Sequence, residues 1–330
     1  MTEIQQSFPW LQTSWTQLNH YIKHKRIPQA LLITGNKGFA QQQLAENFTQ
    51  SILCMNPMVN GCFCGTCQSC KLFIANTHPD FTLIEPEEPG KAIGISIIRQ
   101  LITKLLLKPQ FEKYRVVIIN PADSMNNASA NAFLKYLEEP TERTCLILIS
   151  NKPSKLPVTI TSRCQKLIVS TPDKSLVNKW LQQQGLLKNT EFLLNLAQGS
   201  PLLAVKFSDR YLLELRAKCF DQWIKLTSPE ENLVTLAEQW SKLEREKIDL
   251  LMFWLISWVS DMIKLSYQNT QLKIVNSDLI TDLQDLVQRL DLKELYKYYD
   301  FLLLSQQRLD TPINKQLMIE EVLIRRLKLN

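Results

Sequence analysis

The stretch Ala-Leu-Leu-Ile-Thr-Gly-Asn-Lys-Gly-Phe-Ala-Gln-Gln-Gln-Leu-Ala-Glu-Asn, residues 30–47, decides how the rest of the chain is interpreted. Ala30–Thr34 predicts a short buried strand, the two glycines predict a turn, and the residues that follow predict a helix. A strand, a glycine-containing turn and a helix form the setting of a phosphate-binding P-loop, whose pattern is G-x-x-x-x-G-K-[ST].

The residues that bind phosphate in this pattern are replaced. Gly35 fills the first glycine position, but Ala40, Gln41 and Gln42 stand where the second glycine, the lysine and the hydroxyl residue belong. The lysine neutralises the β- and γ-phosphates and the hydroxyl binds Mg²⁺, and glutamine does neither with comparable strength. On this stretch alone two interpretations stay open. It is a degenerate nucleotide loop with Gly35 and Gly38, or an ordinary strand–turn–helix.

Apolar runs and helical patterns alternate after this stretch. The predicted strands are Asp80–Glu85, Tyr114–Asn120, Thr144–Ser150 and Lys166–Ser170. Between them, Ile95–Leu107 and Ser129–Glu139 show the apolar spacing of helices. Alternating strands and helices with short connections predict a doubly wound α/β domain.

The remainder of the chain predicts helices only. Residues 1–29 form a helical lead-in, and residues 172–208 contain no strand-like run. No glycine occurs from Pro201 to Asn330, and apolar residues recur there at helical spacing. Ser228–Glu231 is a typical helix start because a proline stands in its first turn.

The composition is that of an ordinary soluble globular protein. The chain has 330 residues, 45% of them hydrophobic and 21% charged, which suffices for two or three domains. Its net charge of +6 permits contact with nucleic acid without indicating it. No signal peptide is recognisable, and the most apolar window, Leu250–Ser260, is too short to span a membrane. We therefore expect a cytosolic protein whose cysteines are not in disulfides.

Five cysteines lie within 17 positions: Cys54, Cys62, Cys64, Cys67 and Cys70. Two overlapping C-x-x-C units let the chain turn back so that both sulfurs reach one ion, which predicts a structural zinc site. We expect Cys54, Cys64, Cys67 and Cys70 as ligands and Cys62 as the spare, although either Cys54 or Cys62 could complete the set. Redox-active or free thiols are the alternatives, and His78 is expected to be a turn residue rather than a ligand.

A second nucleotide-binding position also carries the wrong residues. Acids at the end of the corresponding strand, the Walker B position, hold Mg²⁺ and orient the attacking water in P-loop ATPases. Here Asn120 and Pro121 follow the strand, and neither can polarise water.

Several motifs together carry a specific resemblance. They are Ser162-Arg163-Cys164 after the fourth strand, the run Asn131–Pro140, the cysteine cluster and His78-Pro79-Asp80. With these motifs the chain resembles the delta-prime family of clamp-loader subunits of bacterial DNA polymerase III, which are AAA+ proteins. The resemblance covers residues 8–208 with good motifs and continues weakly to the C-terminus, where Asn314–Leu317 is similar to the start of the family's final helix.

The resemblance implies a three-part architecture. It comprises an AAA+ α/β domain at 1–168 with an inserted zinc module at about 54–70, a small helical lid domain at 169–208, and a helical collar domain at 209–330 that joins a five-subunit ring. That ring uses ATP to open the sliding clamp and place it on primed DNA in the bacterial cytoplasm, at the replication fork.

The resemblance also implies a role for this chain. It would be the rigid, non-catalytic member of the ring, a component of the polymerase holoenzyme without enzymatic activity of its own and without bound ATP. The run Gly199–Leu202 agrees with this role, because it lacks the nucleotide-sensing arginine that an active subunit carries near Leu202. Arg163 would act in trans as an arginine finger, and a local pairing of Arg163 is the alternative. Its partners would be the ATPase motor subunits and the clamp-opening delta subunit, and through them the clamp and primer–template DNA, with no membrane.

Two other functions compete with this one. A zinc-containing nucleic-acid-binding protein is compatible with the net charge and the cysteine cluster, although no basic stripe with interleaved aromatic residues lies near residues 54–70 in the sequence. An active AAA+ ATPase motor subunit would require the phosphate and Mg²⁺ groups that are missing at both expected positions.

Overall fold

A computed structural model describes residues 7–88, 90–111, 113–186, 189–226, 232–267, 272–311 and 313–329. These residues fall into two compact units. The described residues of Met1–Glu87, Ala92–Gly185 and Ser200–Leu202 form the first unit, and those of Glu88–Lys91, Leu186–Gly199 and Leu203–Asn330 form the second. The finer division at 168 and 208 remains a prediction.

The first unit is built on a parallel sheet. Its strands are β1 (Ala30–Thr34), β2 (Phe81–Ile84), β3 (Arg115–Ile119), β4 (Thr144–Ser150) and β5 (Gln165–Ile168). They lie in the order β2-β3-β4-β1-β5, and every neighbouring pair is parallel. The carboxyl ends of β1, β3 and β4 therefore meet at one edge, with Thr34 opposite Ser150. This arrangement confirms the expected α/β class.

Helices cover both faces of the sheet. They are α1 (Gln12–Lys23), α2 (Gln41–Leu53), α3 (Gln68–Ile74), α4 (Ile95–Leu105), α5 (Asn127–Glu138), α6 (Val158–Thr161) and α7 (Lys174–Gln183). Since successive side chains of a strand point to opposite faces, Leu31 joins one buried cluster and Leu32 the other. The first cluster includes Phe48 of α2, and the second includes Ile98 of α4 and Phe133 of α5.

The rest of the described chain is helical, as expected. Its helices are α8 (Thr190–Leu196), α9 (Pro201–Phe207), α10 (Arg210–Lys225), α11 (Leu233–Ser241), α12 (Arg245–Ser266), α13 (Ile280–Val287), α14 (Leu292–Arg308) and α15 (Lys315–Leu327). Trp223, Trp254 and Trp258 are fully buried, so these aromatic residues belong to the core. None of the helices in the described residues has the length and apolar character that a membrane span requires.

A buried polar network fixes the segment before α13 in the second unit. Asn276 is fully buried; its side-chain amide donates to Ser257 Oγ at 2.9 Å and to Asp261 Oδ2 at 2.8 Å, and its side-chain oxygen accepts from Arg216 at 2.7 Å. Asp261 also accepts from Lys264 and from two backbone N–H groups. A buried carboxylate is tolerated because it is fully hydrogen-bonded.

The predicted boundaries of the helices and strands differ slightly from those in the structure. The helix predicted over 95–107 ends at Leu105, and Leu106 and Leu107 are exposed. The strand predicted over Lys166–Ser170 lies at Gln165–Ile168. Asn314 caps α15, which agrees with the predicted final helix start. The predicted helix start at Ser228–Glu231 lies outside the described residues.

Candidate functional site

The loop between β1 and α2 has a left-handed residue immediately before the helix. α2 begins at Gln41, and Ala40 before it has φ +64°, in the left-handed region. That conformation favours glycine and costs another residue about 1–2 kcal/mol, which explains why the pattern normally has glycine here. The chain therefore has an alanine at a position where glycine would be less strained.

The Gln41 side chain turns back onto the loop. Only 4% of Gln41 is exposed, and its Nε2 donates to the carbonyl of Asn36 at 2.8 Å and to Asn151 Oδ1 at 3.4 Å. A Cβ added at Gly35 would lie 2.9 Å from the same nitrogen. A neutral amide that bonds the loop thus stands at the motif's lysine position, where a cation would extend to phosphate.

Every carbonyl of the loop from residue 36 to residue 39 accepts a hydrogen bond. In addition to the Asn36 carbonyl, that of Lys37 accepts from Ser200 Oγ at 3.0 Å, that of Gly38 from Leu202 N at 3.3 Å, and that of Phe39 from Trp10 Nε1 at 3.0 Å. The donors come from three separate stretches of the first unit, so the loop is held from several sides.

The two positions that would share Mg²⁺ bond each other instead. Asn120 Nδ2 donates to Gln42 Oε1 at 2.9 Å, and Gln42 Nε2 donates to Glu46 at 2.9 Å. In the P-loop pattern a hydroxyl and an acid at these places coordinate the metal. Asp123, the nearest acid after β3, accepts from Ser150 Oγ at 2.6 Å and from Asn151 N at 3.2 Å. Its carboxylate holds the end of β4.

Arg163 follows α6 at the surface. Its Nη1 donates to the carbonyl of Thr159 at 3.0 Å and its Nη2 to Glu138 at 3.0 Å. The arginine and glutamate side chains are 39% and 49% exposed, and an exposed ion pair of this kind contributes about 0–1 kcal/mol. The local pairing considered as an alternative is thus present, but it is weak, and a guanidinium has five N–H groups of which these bonds use two.

The structure brings Cys54, Cys64, Cys67 and Cys70 together. Their sulfurs all lie within 4.8 Å of one another, with 3.6 Å between Cys54 and Cys64 and 3.9 Å between Cys54 and Cys67. Tetrahedral zinc with bonds of about 2.3 Å requires sulfurs about 3.8 Å apart, so the spacing fits this metal. Four thiolates would leave no open coordination position, which suits a structural ion.

The backbone around these cysteines favours thiolates. The N–H groups of Cys64, Cys67 and Cys70 donate to the sulfurs of Cys54, Cys64 and Cys67 at 3.3–3.4 Å. Backbone hydrogen bonds from Thr66 and Cys67 lower the pKa of Cys64 to about 6, while burial raises the pKa of Cys54. Donors aimed at sulfur stabilise the charged form that binds metal.

Cys62 and His78 stand outside this group. Cys62 packs into the core beside α1, where burial raises its pKa. His78 Nδ1 accepts from Asp80 N at 3.1 Å, and its Nε2 lies 2.9 Å from Ser69 Oγ. Since the Ser69 hydroxyl donates to the Leu53 carbonyl, Nε2 must carry the hydrogen. Burial lowers the pKa of His78, so this histidine is a buried link between α3 and β2.

Sequence reasoning missed the partners of the two glutamines. Both glutamines were noted for what they replace, but Gln42 and Asn120 are 78 residues apart and Gln41 and Asn151 are 110 apart. The only signal available in the sequence was that amide residues stand at both motif positions, at Gln41–Gln42 and at Asn120.

Comparisons with known proteins give consistent results. The family described as DNA polymerase III, delta subunit, matches residues 10–173, and its C-terminal counterpart matches residues 210–327. DNA polymerase III subunit delta' of Pseudomonas aeruginosa is 31% identical, with 96% of each chain covered. The protein of that name from Escherichia coli K12 is 27% identical, over 96% of this chain and 94% of that one. Among solved structures, a DNA polymerase III gamma subunit-related protein from Thermotoga maritima is 18% identical, covering 96% of this chain and 99% of the other, with a TM-score of 0.41.

Proposed function

Because this chain belongs to the DNA polymerase III delta' family of clamp-loader subunits, we propose that it is the non-hydrolysing, rigid member of its clamp loader and that it donates Arg163 to the ATP site of a neighbouring subunit. The loader would place a sliding clamp on primed DNA in the cytoplasm. The partners of this chain would be the ATPase motor subunits and the clamp-opening delta subunit.

The observation that carries the proposal is the closed amide network at the nucleotide loop. Gln41 bonds the Asn36 carbonyl and Gln42 bonds Asn120, so the positions for the phosphate lysine and for both Mg²⁺ ligands are engaged within the protein itself. Binding MgATP here would break these bonds without offering a cation in return. An active motor subunit is disfavoured for the same reason.

The exposure of Arg163 supports its proposed role in trans. The guanidinium lies at the surface, its partner Glu138 is half-exposed, and three N–H groups remain for a phosphate. An arginine that stabilises charge on the transferred phosphoryl group contributes about 10³–10⁵ in rate. Exchanging an exposed carboxylate for a phosphate is a small change for such a group.

Zinc would have a structural role. Cys54, Cys64, Cys67 and Cys70 would hold the ion, which would tie the C-terminal end of α2 to α3. Lys113 donates to the carbonyl of Cys54 and Ser69 donates to that of Leu53, so the chain at and just before the first ligand is fixed. A structural zinc contributes folding free energy rather than a reaction step.

The test is Arg163→Ala in a reconstituted clamp loader. We expect an intact complex whose turnover at the neighbouring ATP site falls by about 10³ or more, together with a loss of clamp loading. Arg210→Ala is the matched control, because Arg210 is also an exposed arginine in an ion pair with a glutamate. If the Arg163→Ala complex hydrolyses ATP and loads clamps as well as the control, the finger assignment is wrong.

A further inference from the structure

The C-terminal end of α1 carries a dense group of basic side chains. His20, Lys23, His24, Lys25 and Arg26 are five basic residues among seven positions, and all are exposed. We call these five residues the basic patch. Within the described residues, no acidic side chain pairs with Lys23, Lys25 or Arg26.

The backbone at this end holds a lysine in an unusual conformation. The turn is closed by hydrogen bonds from Lys25 N to the Ile22 carbonyl at 3.1 Å and from Arg26 N to the Tyr21 carbonyl at 2.9 Å. Lys25 has φ +53°, the left-handed position that helix ends normally fill with glycine. The chain therefore keeps a cation at a place where glycine would be more stable.

The basic patch adjoins the cysteine-bearing segment. Asn19 Nδ2 donates to the Asn60 carbonyl at 2.7 Å, and a Cβ at Gly61 would lie 2.2 Å from Asn19 Oδ1 and 3.7 Å from Ile22. No charged residue occurs from Asn47 to Cys70. The cysteine-bearing segment, residues 47–70, therefore supplies no acid to neutralise the patch.

Helix stabilisation does not account for the whole group. Cations favour the C-terminus of a helix, but the effect falls off beyond the last turn. Lys25 and Arg26 lie past Lys23, the last residue of α1. The patch therefore carries more positive charge than stabilisation of the C-terminal end of α1 accounts for.

Within residues 20–27 the patch exposes no large apolar side chain, although Met58 and Val59 of the adjoining segment are exposed. Tyr21, Ile22 and Ile27, the larger apolar residues within and beside it, are packed against the core. A peptide partner would need an apolar pocket for anchoring side chains. A nucleic-acid backbone needs only cations spaced along its phosphates.

We propose that the basic patch binds the phosphate backbone of a nucleic-acid strand, next to the cysteine-bearing segment. This contact is separate from the proposed action of Arg163 and does not depend on it. Single-stranded and duplex DNA present the same phosphate chemistry, so the two forms are compared directly in the test.

The experiment measures fluorescence anisotropy of a labelled strand of about 30 nucleotides and a labelled duplex of the same length with the full-length chain, across a series of KCl concentrations. The triple variant Lys23→Gln, Lys25→Gln, Arg26→Gln removes three charges from the patch. We expect its plot of log affinity against log salt to have a slope smaller by about 3, since each lost phosphate contact lowers the slope by about 1. The form of DNA that shows this change is the ligand.

The matched control is the variant Lys174→Gln, Lys179→Gln, Lys218→Gln, which removes three exposed lysines elsewhere. It should keep the slope of the unaltered chain. Lys25→Gly retains the turn, removes one charge and should lower the slope by about 1. The proposal is overturned if the patch and control variants show equal slopes, if the unaltered chain binds neither DNA at low salt (about 20 mM KCl), or if the patch variant loses binding of a polyglutamate peptide but not of DNA.

Discussion

The substitution Gln41→Glu tests whether the side-chain amide of Gln41 stabilises the conformation of the loop between β1 and α2. The substitution preserves the shape of the side chain but replaces its donor with an oxygen. That oxygen would face the Asn36 carbonyl at 2.8 Å and the Asn151 side-chain oxygen at 3.4 Å, in a site where only 4% of the residue is exposed. Losing the bond costs about 1 kcal/mol, and burying an unpaired carboxylate adds about 2 kcal/mol or more. We expect a total loss of about 3 kcal/mol.

The loss of folding stability in Gln41→Glu should depend on pH. Burial without a cationic partner raises the pKa of the introduced carboxyl above its unfolded value of about 4.3. The destabilisation is then complete above the folded pKa, shrinks as the pH falls, and vanishes below about pH 4.3, where the protonated carboxyl at position 41 can donate again. A loss of about 3 kcal/mol corresponds to about two pKa units, so the change falls between about pH 6.5 and 4.

Gln43→Glu is the control for this measurement. Gln43 lies on the same helix, is only half-buried, and its side chain makes no hydrogen bond to the described residues, so the variant adds the same charge without the buried contact. Urea unfolding of both variants, followed by circular dichroism from about pH 4 to pH 8, gives the difference directly. Equal stability of the two variants at about pH 7.5 would refute the claim that the Gln41 amide holds the loop.

Three further predictions follow from the contacts described. Calorimetric titration with ATP and Mg²⁺ should show no saturable binding up to millimolar nucleotide, and micromolar affinity would contradict the closed loop. The purified chain should contain one zinc ion by elemental analysis; Cys67→Ser should lose it and melt at lower temperature, whereas Cys62→Ser should retain it. Asn276→Ala should lower the free energy of unfolding by about 3 kcal/mol, because buried Asp261 and Arg216 each lose a partner; a loss below about 1 kcal/mol in urea unfolding would show that the network is not important for stability.

The sequence was sufficient for the fold class because its signals are local. The apolar run Val116–Ile119 becomes a strand buried on both faces, and the glycine-containing turn after β1 lies where the motif predicted. Family membership could be predicted for the same reason, because the motifs that indicate it are short stretches of the sequence. Element ends were less certain, since α4 ends before Leu106 and Leu107, which have helical spacing but no core to contact.

Contacts between distant residues could not be predicted in the same way. The sequence favoured Cys54 over Cys62 as the fourth ligand without excluding Cys62, and the decision comes from packing, because Cys62 lies in the core beside α1. Likewise, no basic stripe lies near the cysteines in the sequence, yet Asn19 contacts Asn60 and brings the end of α1 to that segment. The packing of Cys62 and the contact between Asn19 and Asn60 both depend on tertiary structure, which cannot be inferred from a short pattern of residue types.

The four engaged carbonyls of the loop, from Asn36 to Phe39, have a consequence for timing. A ligand shifts a conformational equilibrium only when it binds two states with different affinity, and the internal hydrogen bonds of this loop favour the one conformation in which they form. In the proposed role, this chain would keep one conformation whether the cell is rich in ATP or in ADP. The order and pace of events in the loading cycle would then be set entirely by its neighbours, and hydrogen exchange at residues 35–42 would be the same before and after they hydrolyse their nucleotide.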